Sequence, residues 1–174
     1  MDRIELKRAQ VQTALEQNGG RRASGLQVAQ VMTATPSCIA PQVSALDLVR
    51  MLHTKAFRHL LVTDPEGRLL GVISDRDVRR CFAPGGHPDK QQLATITAAE
   101  LMSPDVVTIA PQTPLSVAVE LMLGEGISCL PVVTAGTIVG ILTNTDLHVV
   151  LHALLLPEGA PSASESAELE AAGR

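Results

Sequence analysis

The chain has 174 residues, 14 basic and 18 acidic, for a net charge of −4, and 45% of its residues are hydrophobic, enough apolar material for one compact domain. With two Phe and no Trp or Tyr the core must be aliphatic, and the same scarcity argues against the aromatic platforms of single-stranded nucleic-acid binders. Cys38, Cys81 and Cys129 are scattered and contain no C-x-x-C pair, which argues against a disulfide framework or a thiolate metal site. They are expected to be reduced, mostly buried thiols of a cytoplasmic protein.

Residues 3–17 read as a helix with Ile4, Val11, Ala14 and Leu15 on one side and Gly19-Gly20 as its stop. Charges throughout Met1 to Gln17 argue against a signal peptide. Ser24-Gly25-Leu26-Gln27 has the form of a capping box leading to Met32. A short strand is expected at Ser37 to Ala40, closed by Pro41. Ser44 then caps a helix with Leu48, Val49, Met51 and Leu52 facing a core. His59 to Thr63 is apolar enough for a buried strand, Asp64-Pro65-Glu66-Gly67 signals a turn, and Gly71 to Ile73 continues as a strand into a helix from Asp75.

A linker starts at Gly85-Gly86-His87-Pro88, and the same signals then recur. Thr97 to Glu100 is a second capping box, Val107 to Ala110 a strand, and Thr113 before Pro114 the start of a helix carrying Ala118, Val119, Leu121 and Met122. Gly124-Glu125-Gly126 is its stop rather than a phosphate loop. Strands at Cys129 to Val133 and Gly140 to Leu142 flank a turn at Ala135-Gly136, and a helix starts near Asn144. Leu147 to Leu156 is too short to cross a bilayer and contains His148 and His152. Pro157 to Arg174, rich in Ala, Ser, Glu, Gly and Pro, reads as a disordered tail.

Residues 31–78 are therefore written again at 101–147. Met32 and Pro41 have counterparts 70 residues on, at Met102 and Pro111, and after one deletion Gly71 to Val78 lies over Gly140 to Leu147. Each copy is a β-α-β-β-α unit, so the predicted fold is α/β of the α+β type: two pseudo-symmetric repeats packed through their sheets, with an N-terminal helical extension. The expected boundaries are 1–24 for the N-terminal helix and linker, 25–86 and 97–156 for the repeats, 87–96 for the linker between them and 157–174 for the tail.

Val31-Met32-Thr33, Arg58-His59-Leu60-Leu61-Val62 and Gly71-Val72-Ile73-Ser74-Asp75-Arg76-Asp77, answered by Leu101-Met102-Ser103, Leu130-Pro131-Val132-Val133 and Gly140-Ile141-Leu142-Thr143-Asn144-Thr145-Asp146, resemble a tandem pair of CBS domains, the Bateman module. The resemblance spans about 31–156. It implies binding of AMP, ADP, ATP or S-adenosylmethionine between the repeats and a regulatory role exerted through a homodimer or a regulated partner. It implies no resident cofactor, and no catalytic set appears in the sequence.

For the first cleft the resemblance implies Ser74 and Asp77 at the ribose, Arg76 at the phosphates, Arg58 and His59 near the ligand, and Thr35 and Ala40 near the base. For the second it implies Thr143, Thr145 and Asp146 with Ser128 and Cys129. A carboxylate facing a sugar diol makes charge-assisted hydrogen bonds, which suits Asp77 and Asp146. Taken singly, each acid reads equally well as a solvated helix-start residue.

Residues 101–156 contain no Lys or Arg, whereas the first copy carries Arg58 and Arg76, so the first cleft is the expected site for a phosphorylated ligand. His148 and His152 have the spacing of a helical metal pair but no third ligand, and read as structural. The helical faces at Leu48 to Leu52 and Ala118 to Met122 are the expected contacts of the homodimer, and the alternative reading is a ligand-free scaffold that only dimerises and presents the N-terminal helix.

Overall fold

The computed structural model describes residues 3–19, 23–55, 58–81 and 89–156. The tail at 157–174 and Gly85 to Pro88 of the linker lie outside the described residues. The architecture is mixed α+β, with helix α1 (Arg3–Gln17) preceding two copies of one unit.

The first copy runs α2 (Val28–Val31), β1 (Cys38–Ile39), α3 (Ala45–Lys55), β2 (His59–Thr63), β3 (Leu69–Ser74) and α4 (Asp75–Arg79). After α5 (Lys90–Thr95) the second runs α6 (Ala98–Leu101), α7 (Leu115–Glu125), β4 (Cys129–Thr134), β5 (Thr137–Thr143) and α8 (Asn144–Leu155). Strands β1, β2 and β3 form one sheet in that order, β1 parallel and β3 antiparallel to β2, while β4 and β5 form an antiparallel pair. The strand expected at Val107 to Ala110 contracts to a single parallel bridge, Ile109 to Val132.

Local signals explain most of the ends. Ala135 and Gly136, with φ of 48° and 80°, make the tight left-handed turn that joins β4 to β5. Gly126, at φ 64°, ends α7 in the left-handed region where an L side chain is strained. Ser44 accepts a hydrogen bond from Asp47 N–H and caps α3. Two predicted caps are displaced: Gln27 with Gln30, not Ser24, forms the box at α2, and Pro114 rather than Thr113 is the N-cap of α7. At α7 another segment engages the predicted cap residue, since the Thr113 carbonyl accepts from Val28 N–H at 3.0 Å.

That last bond belongs to a larger exchange. Thr33 and Ile141 trade both backbone hydrogen bonds at 2.9 Å, adding the opening segment of the first copy to the second sheet. Val72 and Ser103 do the reverse at 3.1 and 2.9 Å. Packing follows the pairing. Leu26, Val28 and Val31 are buried with Leu130, Val132 and Leu142, whereas Ala98 joins Leu48, Leu60, Val62 and Ile73.

The glycines heading the repeated Gly-h-h motifs make room for this crossing. A Cβ on Gly71 would lie 2.5 Å from Met102 Sδ, and one on Gly140 would lie 2.5 Å from Met32 Sδ. Each copy's opening methionine thus seats on the other copy's glycine. Between the sheets, Leu61, Cys129 and Ile141 are buried in a third cluster flanked by Leu69, Val72 and Ile138.

Helix α1 packs on the second sheet's side, with Val11, Ala14 and Leu15 buried beside Val149, Val150 and Ala153 of α8. A fully buried Val or Leu side chain contributes about 1.5–3 kcal/mol, so this stripe, rather than helix propensity, fixes α1 in place. Gln10 strengthens the seat by donating to the Gln30 carbonyl at 2.8 Å. None of the helices among the described residues is long and apolar enough to cross a membrane.

Candidate functional site

Each copy ends in the same strand-to-helix turn. Ser74 is the N-cap of α4: its N–H and its hydroxyl both donate to Asp77 Oδ2, at 2.8 and 2.6 Å. Thr143 repeats this at α8, donating from N–H and hydroxyl to Asp146 Oδ2, both at 2.7 Å. The hydroxyl-x-x-acid spacing therefore has a capping role as well as any ligand role. It aims one carboxylate oxygen at the cap and leaves Oδ1 for something else.

Around the first turn lies a cavity of about 240 Å3 between the two copies. Ser74, Arg76, Asp77 and His59 reach it from the first copy, and Ser128 and Cys129 from the second. Ser128 and Cys129, expected beside Thr143 and Asp146, lie opposite Asp77 in the structure. The physical reason is the face-to-face packing of the sheets, which sets the start of β2 against the start of β4. His59 Nε2 and Ser128 Oγ are 2.8 Å apart across that boundary.

Burial pushes the His59 imidazole below its ordinary value of 6.5; the charge of Asp75 opposes this and that of Arg58 adds to it. His59 is thus held neutral, a hydrogen-bonding wall rather than a cation. Burial, followed by the charge of Asp77, pushes the Cys129 thiol up to about 12. That thiol is inert. Of the three thiols, expected to be mostly buried, Cys129 is buried, Cys81 half-buried and Cys38 exposed.

The opening segment of the second copy completes the cavity through Ser103, Asp105, Val106 and Val107. These residues were missed from sequence because position within a repeat does not reveal that its opening segment crosses over. Asp105 stands 70 residues beyond Thr35, at the equivalent position of the other copy. Thr35 itself is exposed and follows Thr33, which pairs with the second sheet. Ala40 lies in a separate groove at the β1 edge with Pro41, Thr63 and Asp64. Arg58 is exposed and offers its carbonyl to Asp75 N–H at 3.0 Å. None of these three lines the cavity around Asp77.

The cations are unequal. Arg76 is exposed at the cavity, and Arg80 donates to Asp77 Oδ1 at 3.3 Å from a side chain that is 82% exposed. The Asp77 carboxylate, 16% exposed, remains open on that side.

The second turn is filled. Lys7 of α1 places Nζ 2.8 Å from Asp146 Oδ1, and Thr33 Oγ1 donates to the same oxygen at 3.4 Å. The two charged side chains are 9% and 4% exposed. The cation that residues 101–156 do not supply comes from outside both repeats. A signal existed in the sequence, because Lys7 precedes Val11, Ala14 and Leu15 by 4, 7 and 8 residues, so a charge sits on the stripe that α1 buries. Thr145 is exposed on the first turn of α8.

His148 and His152 are both exposed. No cluster of three His, Cys, Asp or Glu suited to a metal occurs among the described residues.

Comparison with known proteins agrees with this architecture. A structure of CBSX2 in complex with AMP is 29% identical, with a TM-score of 0.61 over 74% of this chain and 98% of that one. A CBS domain-containing protein of Dictyostelium discoideum is 30% identical over 115 residues, 63% of this chain and 79% of its own length. An A-adding tRNA nucleotidyltransferase of Aquifex aeolicus is 28% identical over 73% of this chain, which spans only 14% of that enzyme. The family model for the CBS domain matches residues 28–84 and again 98–153. Two matches in tandem, on the two copies whose opening segments cross over, make this chain a member of the CBS domain family.

Proposed function

We propose that the chain is a regulatory module that binds an adenine nucleotide or related adenosyl ligand in the cleft between its repeats and transmits occupancy to a homodimer partner or a regulated protein. One observation carries this reading: Asp77, fixed by its cap at Oδ2 and met at Oδ1 by the exposed Arg80, shares a cavity with Arg76 and with apolar walls at Val72, Val106 and Ile127. A carboxylate accepts ribose hydroxyls, a guanidinium takes a phosphate, and aliphatic walls sandwich a base. The similarity to a CBS pair solved with AMP supports the ligand class.

The mechanism is differential binding. A ligand spanning Asp77 on one copy and Ser128 on the other favours one arrangement of the two, with a coupling of about 1–3 kcal/mol in typical cases. Support for a homodimer comes from apolar residues left exposed on α7 and α8, namely Val117, Leu123, Leu151 and Leu155. The faces expected from sequence are mostly spent inside the chain, since Leu48, Ala118 and Met122 are buried in its own core.

Thermal shift and calorimetry with AMP, ADP, ATP and S-adenosylmethionine test the proposal. A true ligand at a hundred times its dissociation constant adds about 2.7 kcal/mol to the native state. Absence of any shift with all four would favour a ligand-free scaffold.

A further inference from the structure

The two acids that end the repeats differ in what they have left to give. A carboxylate accepts about four hydrogen bonds. Asp146 has its four: Thr143 N–H and hydroxyl on Oδ2, Lys7 Nζ and Thr33 hydroxyl on Oδ1. Asp77 has the same pair on Oδ2, but among the described residues its Oδ1 meets only Arg80, a side chain 82% exposed and free to swing away.

The cation on Asp146 is not a loose surface residue either. Lys7 lies on the buried stripe of α1, whose Val11 and Leu15 are 0% and 1% exposed in the core that also holds Val149 and Val150 of α8. Removing Lys7 from the cleft means lifting that helix. The Gln10 side chain ties the same helix to the Gln30 carbonyl at 2.8 Å, next to the segment that crosses into the second sheet.

We infer that α1 is a built-in plug of the second cleft: Lys7 occupies Asp146 where a ligand's ribose would bind, so the chain takes one adenosyl ligand, and a second can enter only by displacing α1. The inference rests on the proposed nucleotide-binding reading for its ligand, and on packing alone for the plug. It gives the second cleft a distinct output, because filling it would free a 15-residue helix for another partner.

Calorimetry with AMP on the full chain gives the first test. The wild type is expected to bind one AMP per chain. Lys7→Ala, which removes the cation from Asp146 Oδ1 and empties the space of the lysine stem, is expected to bind two. Gln12→Pro, at an exposed mid-helix position, breaks α1 without touching the cleft and should also bind two. Two equal sites in the wild type, or one site in both variants while each still unfolds cooperatively on heating, would overturn the inference.

Hydrogen exchange separates the plug from the ligand reading. Asp146→Asn should raise the exchange of α1 amides about tenfold or more, whereas Asp77→Asn should leave them unchanged. If the wild type binds no AMP, the nucleotide reading fails while faster α1 exchange in Asp146→Asn still upholds the plug. Equal α1 protection in the two variants overturns it.

Discussion

The two strand-to-helix turns are near copies in backbone and capping, yet one faces an open cavity and the other a buried lysine. At the first, Asp77 is held by Ser74 and looks across the repeat boundary toward Ser128 and Cys129. At the second, Asp146 is held by Thr143 in the same way and is closed by Lys7. A repeated motif thus specifies a local structure with two potential uses. Which use is realised depends on what the rest of the chain brings to the free carboxylate oxygen.

Stability should show the largest difference. Asp146→Ala breaks a buried ion pair by removing the carboxylate that Lys7 meets and is expected to cost about 3–5 kcal/mol, while Asp77→Ala loses helix-cap bonds and an exposed arginine contact, about 1 kcal/mol. Urea denaturation of the two variants measures this; equal losses would mean that Lys7 and Asp146 are not a buried pair in solution.

Ligand binding should reverse the order. Asp77→Ala is expected to weaken nucleotide binding about 10- to 100-fold, and Asp146→Ala less than about threefold, by calorimetry. A larger effect at Asp146 would move the working site to the second cleft.

The crossing segments can be tested by the glycines beneath them. Gly71→Ala drives a Cβ into Met102 side-chain atoms at 2.5–2.9 Å, and Gly140→Ala meets both Met32 Sδ at 2.5 Å and the Thr33 carbonyl at 3.0 Å. Each is expected to cost about 1–3 kcal/mol by overpacking. In a double-mutant cycle Met102→Ala should relieve Gly71→Ala and leave Gly140→Ala untouched.

The smallest effect concerns pH. The folded value of His59 lies below 6.5, so the unfolded chain protonates first as pH falls. Its contribution to stability is fully present above about 6.5 and is lost as pH drops through the folded value. His59→Gln should flatten this acid-side decline in thermal unfolding scans, and an unchanged slope would assign the decline to other groups.

Reading along the chain was enough for what depends on neighbours in sequence. The turn at Ala135-Gly136, the stop at Gly126, the cap at Ser44 and the repeated unit rest on backbone conformation and short-range hydrogen bonds, whose requirements are written in three or four adjacent residues. The membership of Ser74, Arg76 and Asp77 in one cluster was legible for the same reason.

The composition of the clefts was not, because it depends on contacts between residues far apart in the chain. Asp105 replaces Thr35 beside Asp77 because the opening segments cross to the opposite sheets, and a residue's rank within its repeat is unchanged by that crossing. Ser128 and Cys129 face the first acid because the sheets pack face to face. Lys7 reaches Asp146 across 139 positions because Val11 and Leu15 bury α1 on α8. The amino-acid sequence by itself determined two equivalent turns, each with a hydroxyl and an acid; burial of α1 and exchange of the opening segments, which act through space, decided that one acid stays open and the other is closed.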